Sequence, residues 1–324
     1  MSRRQAELRS FLAGPIKAFL QFKRALGRRY QTEAAALRLL DVYVAEHGIV
    51  ALEQIGPPVI DAFLASRPRK HARSYNHLLG AVRRFFDWAL MQGLVDHNPV
   101  TATPRRANGQ RIPYLFSLDD AKRLLEVARG LRSWSRAPHR ALVYETVFAL
   151  LYGLGLRVGE VSRLLVGDVQ FEEATLLIRD TKFYKSRLVP FGPRMGERLA
   201  RYVEQRHGTH PDPEAPLFSF TKRGAINECT FSLTFHSLLP RLRLDIPVGV
   251  SAPRLHDLRR AFAVGTLLRW YRSGIDPNAR LIHLSTFLGH VDPASTAVYL
   301  TITEELLREA DRRFRVFAPG RGQS

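Results

Sequence analysis

The chain has 324 residues, of which 45% are hydrophobic, so it is long enough to bury two hydrophobic cores. Its 49 lysines and arginines against 30 aspartates and glutamates give a formal net charge of +19, which predicts a polyanionic partner and salt-dependent binding. The single cysteine, Cys229, excludes an internal disulfide, and the longest apolar stretch, residues 141–156, contains Glu145 and is too short to span a bilayer. Nothing at the N-terminus resembles a secretory signal, so we expect a reducing compartment, the cytoplasm, and no membrane partner.

The N-terminal third of the chain predicts a helical domain. Apolar residues recur at helical spacing in four stretches, residues 16–30, 32–47, 58–66 and 74–91. A segment rich in proline, glycine and arginine follows at residues 98–113, and Ser117 with Asp120 then forms a capping-box pattern that opens a new helix. These signals predict a first domain at residues 1–103, a linker at 104–114 and a second domain at 115–324.

Basic residues cluster before and along the last predicted helix of the first domain. They are Arg67, Arg69, Lys70, Arg73, Arg83 and Arg84. Side chains of this kind at a helix start can contact phosphates, and such contacts set register and affinity rather than read bases. The alternative is a solvated, charged surface without a partner.

The first candidate functional residues of the second domain are an arginine and two lysines. Arg157 lies in a Gly-Leu-Arg-Val-Gly-Glu sequence that ends at Glu160. Further along, two β-prone runs within residues 174–191 flank a polar turn that carries Lys182 and Lys185. The pattern predicts a β-hairpin with a lysine at its turn, although a solvated turn lysine is the simpler interpretation of either residue alone.

The C-terminal part supplies two histidines, an arginine and a tyrosine. His256 and Arg259 are one turn apart at the start of a predicted helix, whose N-terminal end suits a phosphate. His290 ends a Leu-Gly-His sequence, which taken alone is typical of a helix C-cap. An Asp-Pro pair follows and predicts a new helix that carries Tyr299.

Together these side chains match what phosphodiester cleavage by a tyrosine requires. Guanidinium groups fit the non-bridging oxygens of a phosphate, and Arg157 and Arg259 are the candidates for such a clamp. A free tyrosine has a pKa of about 10, so Tyr299 needs a cationic pocket and a proton acceptor. His256 is the candidate general base.

The order of these motifs resembles that of the tyrosine recombinases, also called the phage integrase family. The family pattern has an arginine in a Gly-Leu-Arg-x-x-Glu context, a hairpin lysine, a His-x-x-Arg, a Leu-Gly-His and a tyrosine shortly afterwards, and every position is filled here. The resemblance implies a mainly α fold with a small β-sheet or hairpin, in which a helical core-binding domain and an α+β catalytic domain clamp DNA. It also implies a metal-free mechanism without a cofactor.

The same resemblance assigns roles to the residues. Tyr299 would form a 3′-phosphotyrosyl intermediate, with the phosphate held by Arg157 and Arg259 and hydrogen-bonded by His290. Lys182 would protonate the leaving 5′ oxygen, with Lys185 as the rival, and Glu160 would orient Arg157 or His256. A homotetramer on double-stranded DNA is implied, and the amphipathic residues 304–317 either pack on their own domain or exchange with a neighbouring protomer.

Two departures and two alternatives bear on the function. Arg260 stands where the family often has a histidine, and the stretch between Arg259 and His290 is longer than usual, which favours a mobile element over chromosome-dimer resolution.

A type IB topoisomerase-like enzyme shares the nucleophile and the cationic clamp, but the helical N-terminal domain and the Leu-Gly-His context argue against it. A DNA-binding accessory protein would lack a catalytic group, and none is missing.

Overall fold

The computed structural model describes residues 8–28, 30–106, 111–179, 186–221, 224–290, 292 and 294–297. The chain divides into two compact units, residues 1–110 and 111–324. In the described part, the fold is mostly helical with a small antiparallel sheet, which confirms the predicted fold class. No helix in that part is long and apolar enough to cross a membrane.

The first unit packs four helices around one core. They are α1 (Ala13–Ala25), α2 (Gln31–Glu46), α3 (Pro57–Ser66) and α4 (Ala72–Met91). The core is built from aromatic and aliphatic residues at helical spacing, among them Phe19, Leu40, Phe63 and Phe85, all fully buried. The prediction that the first helix continues to residue 30 was wrong, because Gly27 adopts a positive φ of 75° that ends α1 at Ala25.

The segment that leaves the first unit is fixed along α4. The side chain of Asn76 donates to the backbone oxygen of Arg105 at 2.8 Å and accepts from the Arg105 backbone N–H at 2.7 Å. Arg83 on the same helix donates to the carbonyl oxygens of Ala102 and Val100. The N-terminal part of the predicted linker is therefore held by side-chain to backbone hydrogen bonds.

The second unit contains the remaining elements. They are α5 (Leu118–Arg129), α6 (Arg140–Gly153), α7 (Val158–Arg163), β1 (Val169–Gln170), β2 (Thr175–Ile178), β3 (Arg187–Pro190), α8 (Pro193–His207), α9 (Glu228–Leu242), α10 (Asp257–Arg272), α11 (Pro277–Leu288) and α12 (Ala294–Ala297). The predicted capping box is confirmed: the Asp120 N–H donates to Ser117 Oγ and the Ser117 N–H to the Asp120 carboxylate.

The strands form a three-stranded antiparallel sheet in the order β1, β2, β3, and β2 and β3 are the two arms of the predicted hairpin. Ile178 at the end of β2 lies opposite Arg187 at the start of β3. Lys182 and Lys185, which the sequence places between these strands, lie outside the described residues. Tyr299 and residues 304–317 also lie outside them.

Candidate active site

The C-terminal end of α11 gathers three arginines. Its last carbonyl groups have no partner within the helix, and the helix dipole makes this end negative, so it favours cations. Three successive carbonyl oxygens each accept a hydrogen bond from a different guanidinium. The pairs are Phe287 with Arg187 Nε at 2.9 Å, Leu288 with Arg259 Nη2 at 2.6 Å, and Gly289 with Arg157 Nη2 at 2.9 Å. Arg157, which directly precedes α7, therefore meets Arg187 of β3 and Arg259 of α10 at the three residues before His290.

Glu160 links two of these arginines. Its side chain is almost fully buried and accepts a hydrogen bond from Arg157 Nη1 at 2.7 Å. Arg187 approaches the same carboxylate with both terminal nitrogens, each at 2.9 Å. Burial alone would raise the pKa of Glu160, but the hydrogen bonds and charges of Arg187 and Arg157 lower it to about 2. Glu160 is therefore ionised at neutral pH and is hydrogen-bonded to both the side chain and the backbone N–H of Arg157.

Arg259 is buried, although a residue that contacts a phosphate directly is expected to be partly exposed. It is 1% exposed, and its Nη1 donates to the backbone oxygen of Gly155 at 2.6 Å. Gly155 has a φ of +60°, and a Cβ there would lie 2.4 Å from the Phe262 ring, so the close approach of this backbone to α10 requires glycine. Arg157, by contrast, keeps 33% of its side-chain surface exposed.

The two histidines are neutral at pH 7. Desolvation and the charges of Arg259 and Arg157 lower the pKa of His290 to about 4, and its Nδ1 lies 2.6 Å from the hydroxyl of buried Thr296. Desolvation and the neighbouring charges of Arg259 and Arg260 likewise lower the pKa of His256 to about 4. His256 keeps an exposed surface, so solvent screens part of its repulsion from these cations. Their charges still lower its pKa.

The start of α10, which carries His256 and Arg259, is fixed by a buried carboxylate. Asp257 is 0% exposed and receives both terminal nitrogens of Arg111, at 3.2 and 2.9 Å. It also accepts from the Arg254 backbone N–H at 2.9 Å and from Arg260 Nη1 at 3.2 Å. These four donors compensate the buried charge and hold the first turn of the helix.

The structure brings five of the sequence-predicted residues together. They are Arg157, Glu160, His256, Arg259 and His290. Sequence reasoning missed Arg187 and Arg111, which hold the carboxylates of this cluster. The available signal for Arg187 was a cation in a strand next to the hairpin turn, where a β-branched or aromatic residue is usual. In the described part of the chain, no group of three or more His, Cys, Asp or Glu side chains could hold a metal ion.

The predicted DNA-contacting residues all belong to the first unit, and several line two cavities there. A cavity of about 550 Å³ is bordered by Lys23, Arg28, His77 and Arg84, among others. A second, of about 520 Å³, is bordered by Arg69, Arg73, Ser74 and again His77. Both cavities are bordered by His77, and their basic lining residues come from α1, α4 and the segments beside these helices.

The other predicted DNA contacts differ in their surroundings. Arg83 is used within the unit, because its guanidinium donates to the carbonyls of residues 100 and 102. Lys70 is exposed, and Arg67 is only partly exposed at the end of α3. Arg84 is 43% exposed and lies 3.8 Å from Glu33, which makes a loose ion pair.

Comparison with known proteins identifies the family of the chain. The model of the phage integrase family matches residues 116–305. The Sinorhizobium fredii integrase/recombinase y4rE is 30% identical over 305 residues, which cover 94% of this chain and 96% of that protein. The integrase/recombinase y4rB of the same organism is 39% identical over 213 residues, 65% of this chain and 67% of that protein.

Two more distant similarities are also found, one in sequence and one in fold. The tyrosine recombinase XerA of Pyrococcus horikoshii is 27% identical over 238 residues, covering 74% of this chain and 72% of that protein. The fold is similar to that of a lambda integrase tetramer bound to a Holliday junction, with a TM-score of 0.62, 18% identity and coverage of 89% of this chain and 76% of that one. The chain therefore belongs to the phage integrase family, the tyrosine-type site-specific recombinases.

Proposed function

We propose that this recombinase cleaves DNA with Tyr299 at the pocket formed around the C-terminal end of α11. The Tyr299 oxygen would bond to the phosphorus, and the bond from phosphorus to the 5′ oxygen would break. The tyrosine proton goes to His256, and Lys182 protonates the leaving oxygen. The products are a 3′-phosphotyrosyl bond and a 5′ hydroxyl, and the reverse reaction with another 5′ hydroxyl rejoins the strands. The observation that carries this proposal is the convergence of Arg157, Arg259 and two neutral histidines.

The arginines have different parts in the proposed pocket. Arg157 is partly exposed and already oriented by Glu160 and by the Gly289 carbonyl, so it contacts a non-bridging oxygen directly. Arg259 is 1% exposed and adds positive charge beneath the pocket, and direct contact with the phosphate requires the side chains that cover it to move. Both guanidinium groups are held before the substrate arrives, which keeps the cost of reorganisation low during the reaction.

The neutral histidines suit proton transfer and hydrogen bonding. An imidazole that is neutral at pH 7 has a free nitrogen lone pair to accept the tyrosine proton. A bound phosphate brings negative charge next to His256 and His290, which raises the pKa of both towards the range in which a general base works best. His290 then hydrogen-bonds the phosphate while Thr296 fixes its Nδ1 side.

The first unit is proposed as the helical DNA-binding domain, with residues 1–103 in that domain, 104–114 as the linker and 115–324 as the catalytic domain. The surface around His77 supports this assignment, because Arg69, Arg73 and Arg84 border it. Arg67 and Lys70 extend the same basic region. Arg83 has a mainly structural part, since it holds the segment leading to the linker.

The assembly and setting are also proposals. We infer a tetramer on double-stranded DNA, in which residues 304–317 either pack on their own domain or exchange between protomers. The relatives at 39% and 30% identity are named integrase/recombinase, which favours recombination of a mobile element. The protein would act in the cytoplasm, at the nucleoid, and it would use no metal or cofactor.

A covalent-capture experiment tests the chemistry. Purified protein is incubated with nicked suicide duplexes from the DNA flanking its gene, without divalent metal, and run on a denaturing gel beside Tyr299→Phe. We expect an adduct with the wild-type protein and none with the variant, while both bind the duplex equally. An adduct in the variant would place the nucleophile elsewhere, and binding without any adduct would favour an accessory protein.

A further inference from the structure

Arg187 makes three hydrogen bonds to residues of the candidate active site, although no sequence motif assigned it a role. It lies at the start of β3, directly after the stretch that carries Lys182 and Lys185, and only 11% of its side chain is exposed. Both terminal nitrogens bind Glu160, and Nε binds the Phe287 carbonyl oxygen at 2.9 Å. All three guanidinium nitrogens therefore donate hydrogen bonds, two of them to one carboxylate in bidentate geometry.

The partners of Arg187 belong to two other parts of the site. Arg187 binds the carboxylate of Glu160, which also accepts a hydrogen bond from Arg157 at the start of α7. Through Phe287 it reaches the end of α11, three residues before His290. The contact is tight, because a Cβ on Gly289 would lie 2.7 Å from Arg187 Nη1. The base of the hairpin is therefore joined to both sides of the phosphate pocket by one side chain.

The same end of the hairpin carries a second arginine that offers a comparison. Arg179 directly follows β2, and its Nε lies 2.5 Å from the carboxylate of Asp168, which is 1% exposed. Asp168 caps the short turn at residues 166–168 and also accepts from the Leu165 N–H at 2.9 Å. Arg179 is thus also paired with a buried carboxylate, but its hydrogen bond goes to the turn that follows α7 and not to Glu160 or the end of α11.

We propose that Arg187 is a positioning residue that fixes the base of the β2–β3 hairpin against the phosphate pocket, so that the lysine on the turn reaches the leaving 5′ oxygen. The inference rests on the proposed function, since it needs a lysine acid on that turn. A guanidinium suits this task because one planar group can bind Glu160 and Phe287 at once, whereas a lysine has one nitrogen on a flexible stem. Arg187 itself does not touch DNA.

The test separates proton donation from phosphate binding. The variants are Arg187→Lys and Arg187→Gln, with Arg179→Lys as the matched control, all in the full chain and at a temperature where circular dichroism shows them folded. Each cleaves two suicide duplexes in single turnover. One duplex has an ordinary scissile phosphate, and the other has a 5′-bridging sulfur, which leaves as a thiolate and needs no proton.

We expect both Arg187 variants to cleave the ordinary duplex about 10- to 100-fold more slowly than wild type, the range for a misplaced acid. On the sulfur duplex they should cleave within about threefold of wild type, and their DNA affinity should be unchanged, because loss of an acid matters only for an oxygen leaving group. Arg179→Lys should match wild type on both. The second variant keeps the test valid if one substitution unfolds the protein.

Three results would overturn the inference. Equal losses on both duplexes would mean that Arg187 acts on the phosphate pocket alone, and wild-type rates on both would mean that it has no part in cleavage. A sulfur-rescued loss in Arg179→Lys as well would mean that any disturbance of the hairpin has this effect. Absence of cleavage by the wild-type protein on either duplex would instead overturn the proposed function, and this inference with it.

Discussion

Replacement of Glu160 by glutamine tests the cluster of arginines through protein stability. The pKa of Glu160 is lowered from 4.5 to about 2 in the folded protein, so its ionisation favours the folded state. This contribution is complete above pH 4.5 and is lost as the pH falls towards 2. One unit of pKa shift corresponds to about 1.4 kcal/mol. The ionisation of Glu160 therefore stabilises the folded state by about 3 kcal/mol at pH 7 and by about 2 kcal/mol at pH 3.5.

Glutamine approximates the protonated acid, because it is neutral and has the same shape. We therefore expect Glu160→Gln to lower the free energy of unfolding by about 3 kcal/mol at pH 7, with a smaller loss at pH 3.5. The amide N–H groups also face the guanidinium groups of Arg157 and Arg187, which adds to the loss at both pH values.

Urea unfolding followed by tryptophan fluorescence measures this effect. The chain has three tryptophans, and a Trp88→Phe background leaves only Trp134 and Trp270, both in the second unit. The signal then reports on the unit that contains Glu160. Glu197→Gln, an exposed substitution on α8, is the control and should change the free energy by less than about 0.5 kcal/mol.

Two results would refute the reasoning. Equal stability of Glu160→Gln and the control at pH 7 would mean that the ion pairs contribute nothing beyond the cost of burying the carboxylate. A loss that does not shrink between pH 7 and pH 3.5 would mean that it comes from packing rather than from the charge of Glu160.

Two further substitutions test what holds α10. Gly155→Ala should lower the melting temperature more than Gly274→Ala, because both glycines have positive φ but only the Cβ at 155 meets Phe262, and equal effects would exclude the steric reason. Arg111→Met should lower the free energy of unfolding by about 2–4 kcal/mol, measured in urea at pH 7, because it removes two donors from buried Asp257; a change below about 0.5 kcal/mol would show that Arg260 and the backbone suffice.

Much of the fold and several residues of the candidate site were predictable because they depend on local signals. Helical periodicity located the four N-terminal helices, and the capping box at Ser117 fixed the start of α5 to the residue. The end of α1 was placed too late, because apolar spacing continues past Gly27 while the backbone does not. Periodicity reports which side of a helix is buried, but a single positive φ decides where the helix ends.

The sequence by itself determined the chemistry: which residue types are present, in which order, and on which kind of element Arg157, His256 and His290 lie. Only the tertiary structure decided how their charges are balanced. Arg187 and Arg111 pair with carboxylates 27 and 146 residues away, and three arginines meet the end of one helix. No local pattern encodes such pairs, because a buried charge is compensated by whichever group the fold brings to it.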